Sequence, residues 1–519
     1  MTKLKVCVVG CGSAGLVTIK ELLDEGHQVI CYEKDSDEGG NFKASSASYD
    51  SLRLTISQKA MCFSSFPAST LEPPLYWTRR QYLDYLKRFA QHFNLFEHIK
   101  FNSEVLEITH HSFKEFQVVY SNSTGTYTET FDAIAICQGA HRPVSPRMPT
   151  LIGAEKFSGK ILHSAQYSDP IPFKGKKVVC VGFGETAADV ASEIASVADE
   201  CWATFRRWPS LAMRWDASGF TGDAFSIRAS QKVPAKIRNS MVREMTKISA
   251  KSRIPQVKLV AQWNLNCKHH IHKFLQKNDD FVPRVLDGTL KIHPCAIKEL
   301  TQSSIVFEDG KEIVADVIMC CTGYNESAPP DLIRGVSIDN VRDLYKHSIL
   351  PNSRSRVAFI GWARPAQGGV PACSELQARY FSLLCSEKLY LPEPESLAKL
   401  IESDRKVEEE DYFMQPYMKT LVNYCVYLDK MALLIGCLPT IKDLWKHPTL
   451  LIRFLFGSNI PSWYRVVGPH ANRKQALEQI YHLSIPFSVR RAIKFSWLNF
   501  KLWLNHKRMG SKAEYSPFQ

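Results

Sequence analysis

Two glycine-rich loops, each following a run of β-branched apolar residues and opening a helix-like segment, constrain this 519-residue chain more than any other feature. The first runs from Lys5-Val6-Cys7-Val8-Val9 into Gly10-Cys11-Gly12-Ser13-Ala14-Gly15, after which Leu16, Ile19, Leu22 and Leu23 recur at helical spacing. Strand, tight turn and helix in that order form the unit that cradles a dinucleotide pyrophosphate. Gly10 permits the turn, Gly12 lets backbone approach phosphate, and Gly15 brings the helix against the strand, with the helix N-terminus facing the anion. A second strand, Gln28-Val29-Ile30-Cys31-Tyr32, ends at Glu33, an acid placed to accept from an unphosphorylated adenosine ribose.

The second loop follows Lys177-Val178-Val179-Cys180-Val181 and reads Gly182-Phe183-Gly184-Glu185-Thr186-Ala187, with alanine at the third small-residue position. The next apolar piece ends at Arg206-Arg207 rather than at an acid. Two guanidiniums suit a 2′-phosphate through charge-assisted bidentate bonds, so this unit favours NADP(H). An isolated arginine pair is usually solvated surface charge; its place after the second strand of a nucleotide unit argues for a ligand.

Between the loops, Phe157-Ser158-Gly159-Lys160-Ile161-Leu162-His163-Ser164-Ala165-Gln166-Tyr167 fits the FxGxxxHxxxY/F signature at every fixed position, and here the chain resembles the flavin-containing monooxygenases. Further stretches carry the likeness to animal members of the dimethylaniline N-oxide-forming kind. They are Glu38-Gly39-Gly40-Asn41-Phe42, Met61-Cys62-Phe63, Cys321-Thr322-Gly323-Tyr324, Phe359-Ile360-Gly361, Glu375 to Tyr380, Tyr424 to Asp429 and Tyr464 to Pro469. The resemblance implies FAD at Gly10, Gly12, Ser13, Ala14, Gly15, Glu33, Gly40, Asn41, Phe42, Thr55 and Ile56. It implies NADPH at Gly182, Gly184, Glu185, Thr186, Ala187, Arg206 and Arg207. His163 and Tyr167 lie on a connection, where a lone histidine more often fixes backbone geometry than transfers protons.

Composition agrees with an ordinary globular enzyme: 45% apolar and 23% charged residues give neither a disordered nor a fibrous chain. The 15 cysteines never occur as CxxC, which argues against a disulfide scaffold and a local redox pair, and no metal ligand set is assigned. A net charge of +13 comes without a nucleic-acid motif, so basic nucleotide pockets account for it better than DNA or RNA. The first strand begins almost at once, leaving no room for a cleavable signal, and no apolar run is long enough to span a bilayer. A cytoplasmic protein is expected. Basic and aromatic residues interleave from Arg490 to Arg508. That segment suits either a membrane interface, such as the endoplasmic-reticulum surface used by animal relatives, or a helix docked on the enzyme. Homo-oligomerisation is left open.

The expected fold class is α/β, with two doubly wound, Rossmann-like dinucleotide-binding domains, the FAD domain interrupted by the NADP domain. Residues 1–170 begin the FAD domain and residues 171–323 form the NADP domain, with a basic helical insertion at about 216–280. Residues 324–450 complete the FAD domain, and 451–519 form a C-terminal helical region.

The resemblance implies that NADPH reduces FAD, that a C4a-hydroperoxyflavin forms with O2, and that a small-molecule nucleophile, an amine nitrogen or a sulfur, takes its distal oxygen. One departure bears on catalysis: where many members have an asparagine facing the cofactors, this chain has Thr55, which lacks the amide's two donors. Ser57 is an alternative donor. Three outcomes follow: N- or S-oxygenation, a Baeyer–Villiger reaction on ketones, or NADPH oxidase activity releasing hydrogen peroxide. Baeyer–Villiger members usually carry tryptophan where Tyr167 stands, which favours the first. A nucleotide-binding protein without turnover is the non-enzymatic alternative.

Overall fold

The computed structural model describes residues 3–486 apart from 44–47, 140–145, 217, 232, 234, 268–274, 325–330, 414–417 and 484. Two five-stranded parallel sheets organise these residues, and each is built around one glycine loop. In the first, Lys5–Val9 lies between Ala133–Ile136 and Gln28–Tyr32, with Val357–Phe359 and Ile99–Lys100 at the edges. In the second, Lys177–Val181 lies between Val317–Cys320 and Glu200–Thr204, flanked by Lys160–His163 and Leu290–His293. A three-stranded antiparallel sheet precedes the returning strand in each unit: Glu104–His111, Glu115–Asn122 and Gly125–Phe131 in one, Ile297–Leu300, Ser304–Phe307 and Glu312–Val314 in the other.

The duplication extends to single hydrogen bonds. Asp132 accepts from Lys5 N at 2.7 Å and Asp316 accepts from Lys177 N at 2.8 Å, each aspartate fixing the start of the central strand. Both first glycines take φ +96°, a region closed to most side chains, with their N–H groups bonded to the end of the neighbouring strand at 2.8 Å.

Lys160–His163 pairs in register with Val317–Cys320 in the second sheet. The boundary expected at 170/171 is therefore one strand too late, and the second unit begins upstream of residue 160. Four residues ending in a one-turn helix look like a connection when read without their partner strand. The chain rejoins the first sheet at Val357–Phe359, after the second unit closes.

The two crossings between units run side by side. Arg147 N donates to Gly323 O at 2.9 Å, and the Arg147 guanidinium donates to Thr322 O at 2.7 and 3.0 Å. His163 belongs to this joint: its Nε2 lies 3.0 Å from Gly323 O and its Nδ1 accepts from Ala165 N at 3.1 Å. Burial holds its imidazole below the usual histidine range. A neutral ring with both nitrogens engaged on backbone is a structural part.

The helices Ala235–Ser249 and Pro255–Leu265 lie between the strands Ser210–Ala212 and Leu275–Lys277. Beyond the first unit, Arg465 is buried against Glu21 and Glu375, 3.2 Å from the latter, and donates to Ser64 Oγ at 2.8 Å. This network ties the Tyr464 to Pro469 stretch to the helix of the first glycine loop. No helix among the described residues is long and apolar enough to cross a membrane. The basic-aromatic segment from Arg490 to Arg508 lies outside the described residues.

Candidate functional site

In the first loop, close approach decides which residues the turn accepts. A Cβ on Gly15 would lie 1.9 Å from Gly10 O, so only glycine lets the helix Ser13–Asp24 seat on the turn. A Cβ on Gly12 would meet only Gly40, at 3.7 Å from its Cα, and Gly39 N donates to Cys11 O at 3.0 Å. Loop and Gly40–Phe42 segment thus form two facing walls of bare backbone, the shape a pyrophosphate needs. Ala14 packs under Gly361, where a Cβ would come within 2.9 Å of the alanine methyl. Asn41 is exposed, and the Phe42 ring meets Tyr82 edge to face at 4.7 Å.

Glu33 is buried and already partly engaged. Its carboxylate accepts from Cys11 N at 2.6 Å, Asp35 N at 3.1 Å and Lys43 Nζ at 3.3 Å. Three of about four lone-pair positions are then used, leaving one for a ribose hydroxyl. The acid closes the glycine loop as well as facing the ligand, a role that spacing alone did not reveal. These residues fit an adenine dinucleotide bearing an unphosphorylated ribose.

In the second loop, Gly182 crowds Cys321 O at 2.7 Å from an added Cβ, whereas Gly184 would meet nothing within 4 Å. Gly184 caps the helix Glu185–Ile194, with Thr186 partly exposed and Ala187 buried. Arg206 and Arg207 follow the strand Glu200–Thr204, both exposed and without an ion pair among the described residues. Open backbone at Gly184 and two unengaged guanidiniums fit a phosphorylated dinucleotide.

What brings the loops together is a stripe of acids on the second-loop helix. Glu185, Asp189 and Glu193 recur every four residues and so share one face. Glu193 accepts from Tyr167 Oη at 2.6 Å and from Ser51 Oγ at 2.5 Å. Asp189 accepts from Tyr49 Oη, Asn278 Nδ2 and Arg214, the last at 3.5 Å. Burial pushes the Asp189 carboxyl up to about 6 against the pull of Arg214. At the helix start, burial pushes the Glu185 carboxyl up, opposed by Arg364, Lys277, the Thr55 hydroxyl and Arg214. Thr55 of the first unit thus lies near the first helical residue of the second loop, close enough to lower its carboxyl. Ile56, beside it, is buried in the first unit's core.

Ser57 does not substitute for the missing amide. Its hydroxyl donates to Asp223 Oδ2 at 2.6 Å and its N–H to Oδ1 at 3.0 Å, so its one side-chain proton is committed. The insertion and the strand end before it therefore brace this segment: Asp223 of the insertion holds Ser57, while Arg214, just before it, donates to Leu54 O at 3.2 Å and Arg53 O at 3.1 Å. Asp223, Arg214, Asp189 and Lys277 were not singled out from sequence. Asp189 and Glu193 alone had a readable signal, acids at four-residue spacing on an otherwise apolar helix.

A family model described as flavin-binding monooxygenase-like matches residues 3–505. The chain is 35% identical over 475 residues to the 4-hydroxybenzoate brominase (decarboxylating) of Marinomonas mediterranea, covering 90% of each chain. It is 32% identical over 489 residues to the N-oxide-forming dimethylaniline monooxygenase 2 of Rattus norvegicus, covering 90% of this chain and 89% of that one. The solved S-allyl-L-cysteine S-oxygenase of Allium sativum shares the fold at TM-score 0.61 and 23% identity, over 92% of this chain and 98% of that chain. An open cyclohexanone monooxygenase does so at TM-score 0.59 and 16% identity, over 84% of this chain and 98% of that one.

Proposed function

The chain belongs to the flavin-binding monooxygenase-like family, and we propose that it uses NADPH and dioxygen to oxygenate soft nucleophiles. The observation that carries this reading is the pairing of two glycine loops, each opening a helix on its own parallel sheet, with Tyr49 and Ser51 of the first unit donating to Asp189 and Glu193 on the second-loop helix. FAD, when bound, supplies the electron transfer and dioxygen activation that no side chain can.

The chain's own residues bind, orient and exclude water. Gly10, Gly12, Ser13, Ala14, Gly15, Gly40, Asn41 and Phe42 hold the FAD pyrophosphate and the segment beside it, and Glu33 accepts from the ribose. Gly182, Gly184, Thr186 and Ala187 hold the NADP phosphates, with Arg206 and Arg207 on the 2′-phosphate. Thr55 would offer one hydroxyl to the bound cofactors, and Ile56 backs it with apolar surface. The acid stripe closes the two units on each other, which keeps water from the reacting face.

Relatives named for dimethylaniline N-oxide formation and for 4-hydroxybenzoate bromination frame the substrate choice. An amine, a thioether and a bromide ion are all soft nucleophiles toward an electrophilic oxygen, so one mechanism serves all three. Halide oxidation is the second reading, favoured by the 35% and 34% identities to two bacterial brominases. Baeyer–Villiger and simple oxidase outcomes are the competing ones. The test is parallel product analysis with a tertiary amine, a thioether, a cyclic ketone, and bromide plus a phenol, against NADPH consumed. An N-oxide, sulfoxide or bromophenol supports the reading. Ester formation alone, or peroxide alone, refutes it.

A further inference from the structure

Lys277 ends a three-residue strand, Leu275–Lys277, that pairs in parallel with Ser210–Ala212. The next residue, Asn278, donates to Asp189 on the second-loop helix, so the strand delivers Lys277 into the junction that carries Thr55 and Glu185. The side chain is only 4% exposed, yet its ammonium makes no hydrogen bond or ion pair among the described residues. Its electrostatic neighbours are Asp223, Glu185 and Arg214.

Those neighbours are otherwise committed. Asp223 accepts from the Ser57 N–H and hydroxyl, and Arg214 donates to two backbone carbonyls and to Asp189. Glu185, pushed toward neutrality by burial, is met by Arg364, Arg214 and the Thr55 hydroxyl as well as by Lys277. A buried ammonium without a bonded counter-ion is costly, and an apolar side chain would fill the same space without that cost. Three N–H donors left unbonded at the junction match a small anion.

We propose that Lys277 anchors a small-anion site at the junction of the two nucleotide units, taking either a halide ion or the carboxylate of an acidic aromatic substrate. The proposal rests on the monooxygenase reading and adds to it the class of molecule presented for oxidation. Burial pushes the Lys277 ammonium below the usual lysine range, and a bound anion draws it back up.

The full-length, FAD-loaded protein is titrated with sodium bromide and, separately, with sodium benzoate, at ionic strength fixed with sodium sulfate. Binding is read by calorimetry and by oxidised-flavin absorbance. The wild type should bind at least one of the two with one-site saturation. Lys277→Met should weaken that binding roughly tenfold or more, the loss of a charge-assisted hydrogen bond, while Lys277→Arg retains most of it. Bromide binding identifies a halide site and benzoate binding a carboxylate site; both support the anchor. Absence of binding by the wild type, or equal binding by Lys277→Met, overturns it. Should Lys277→Met fail to hold FAD, Lys277→Gln carries the same expectation. Anaerobic NADPH is added last to each sample: a wild type whose flavin is not reduced refutes the functional reading, whatever the anion titration gave.

Discussion

Replacing Gly184 by alanine separates a glycine kept for a ligand from one kept for the fold, because nothing lies within 4 Å of the added Cβ. The backbone there, φ −138° and ψ −169°, is extended and open to alanine. Loss of glycine at a helix N-cap costs roughly 1 kcal/mol, and the smaller entropy of the unfolded chain returns about 0.4–1 kcal/mol. Thermal stability should therefore stay within a few degrees of wild type. If backbone at Gly184 touches the NADP pyrophosphate, a methyl group must push the phosphate out, a loss of about 1–3 kcal/mol, or roughly 5- to 150-fold in NADPH KM. Gly15→Ala is the contrast: its Cβ falls 1.9 Å from Gly10 O, where ordinary contact begins at 3.4 Å, so helix and turn must part. That change should cost about 3 kcal/mol or more and empty the FAD site. The assays are thermal unfolding followed by flavin fluorescence and steady-state NADPH oxidation. A wild-type NADPH KM in Gly184→Ala, or unfolding of that variant as severe as in Gly15→Ala, would refute the assignment.

Four other outcomes are expected. Arg206→Ala with Arg207→Ala should raise the KM for NADPH by roughly 100-fold while leaving NADH nearly unaffected, since only the former carries the phosphate they meet; equal losses would contradict their role. Thr55→Asn should lengthen the interval between mixing reduced protein with dioxygen and recovery of the oxidised-flavin spectrum, and an unchanged interval would remove Thr55 from the chemistry. Arg465→Met leaves Glu21 and Glu375 buried without their shared cation, so urea unfolding should show a loss of about 3–5 kcal/mol. Finally, burial raises the Glu129 carboxyl, but hydrogen bonds from Tyr32, Lys100 and Lys5 overcome this and hold it down at about 2. Its stabilising contribution is present above the ordinary carboxylate range and is lost as pH falls toward 2. Solvent screening limits that contribution to about 1–2 kcal/mol, and Glu129→Gln should flatten the acid limb of stability against pH by that amount.

Both glycine loops, their strands and their helices were legible in the sequence because each is a local pattern complete within some thirty residues. The place of Arg206 and Arg207 after the strand Glu200–Thr204 was legible for the same reason. The strand Lys160–His163 was not, because four residues carry no period and their partner, Val317–Cys320, lies over 150 positions away. The junction was hidden for a related reason. Thr55 stands out as a departure, but Asp223 on Ser57 and Lys277 near Glu185 come from an insertion whose basic composition reads as solvated surface, and Arg214 on Leu54 lies just before it. Only burial distinguishes these side chains from the charges around them, and burial is a property of the folded chain. Ser57, offered as a substitute donor, was excluded by its partner Asp223, which no local pattern links to it. Likeness to brominases was equally unmarked, since no motif in the chain distinguishes them from the amine- and sulfur-oxygenating members.

The most direct test reduces the FAD-loaded protein anaerobically with NADPH and mixes it with 18O-labelled dioxygen in the presence of a thioether, a tertiary amine, or bromide with a phenol. The account predicts one labelled oxygen in a sulfoxide or N-oxide, or a brominated phenol, with less hydrogen peroxide than NADPH consumed. Peroxide equal to NADPH with every acceptor, and no oxygenated or halogenated product, would contradict it.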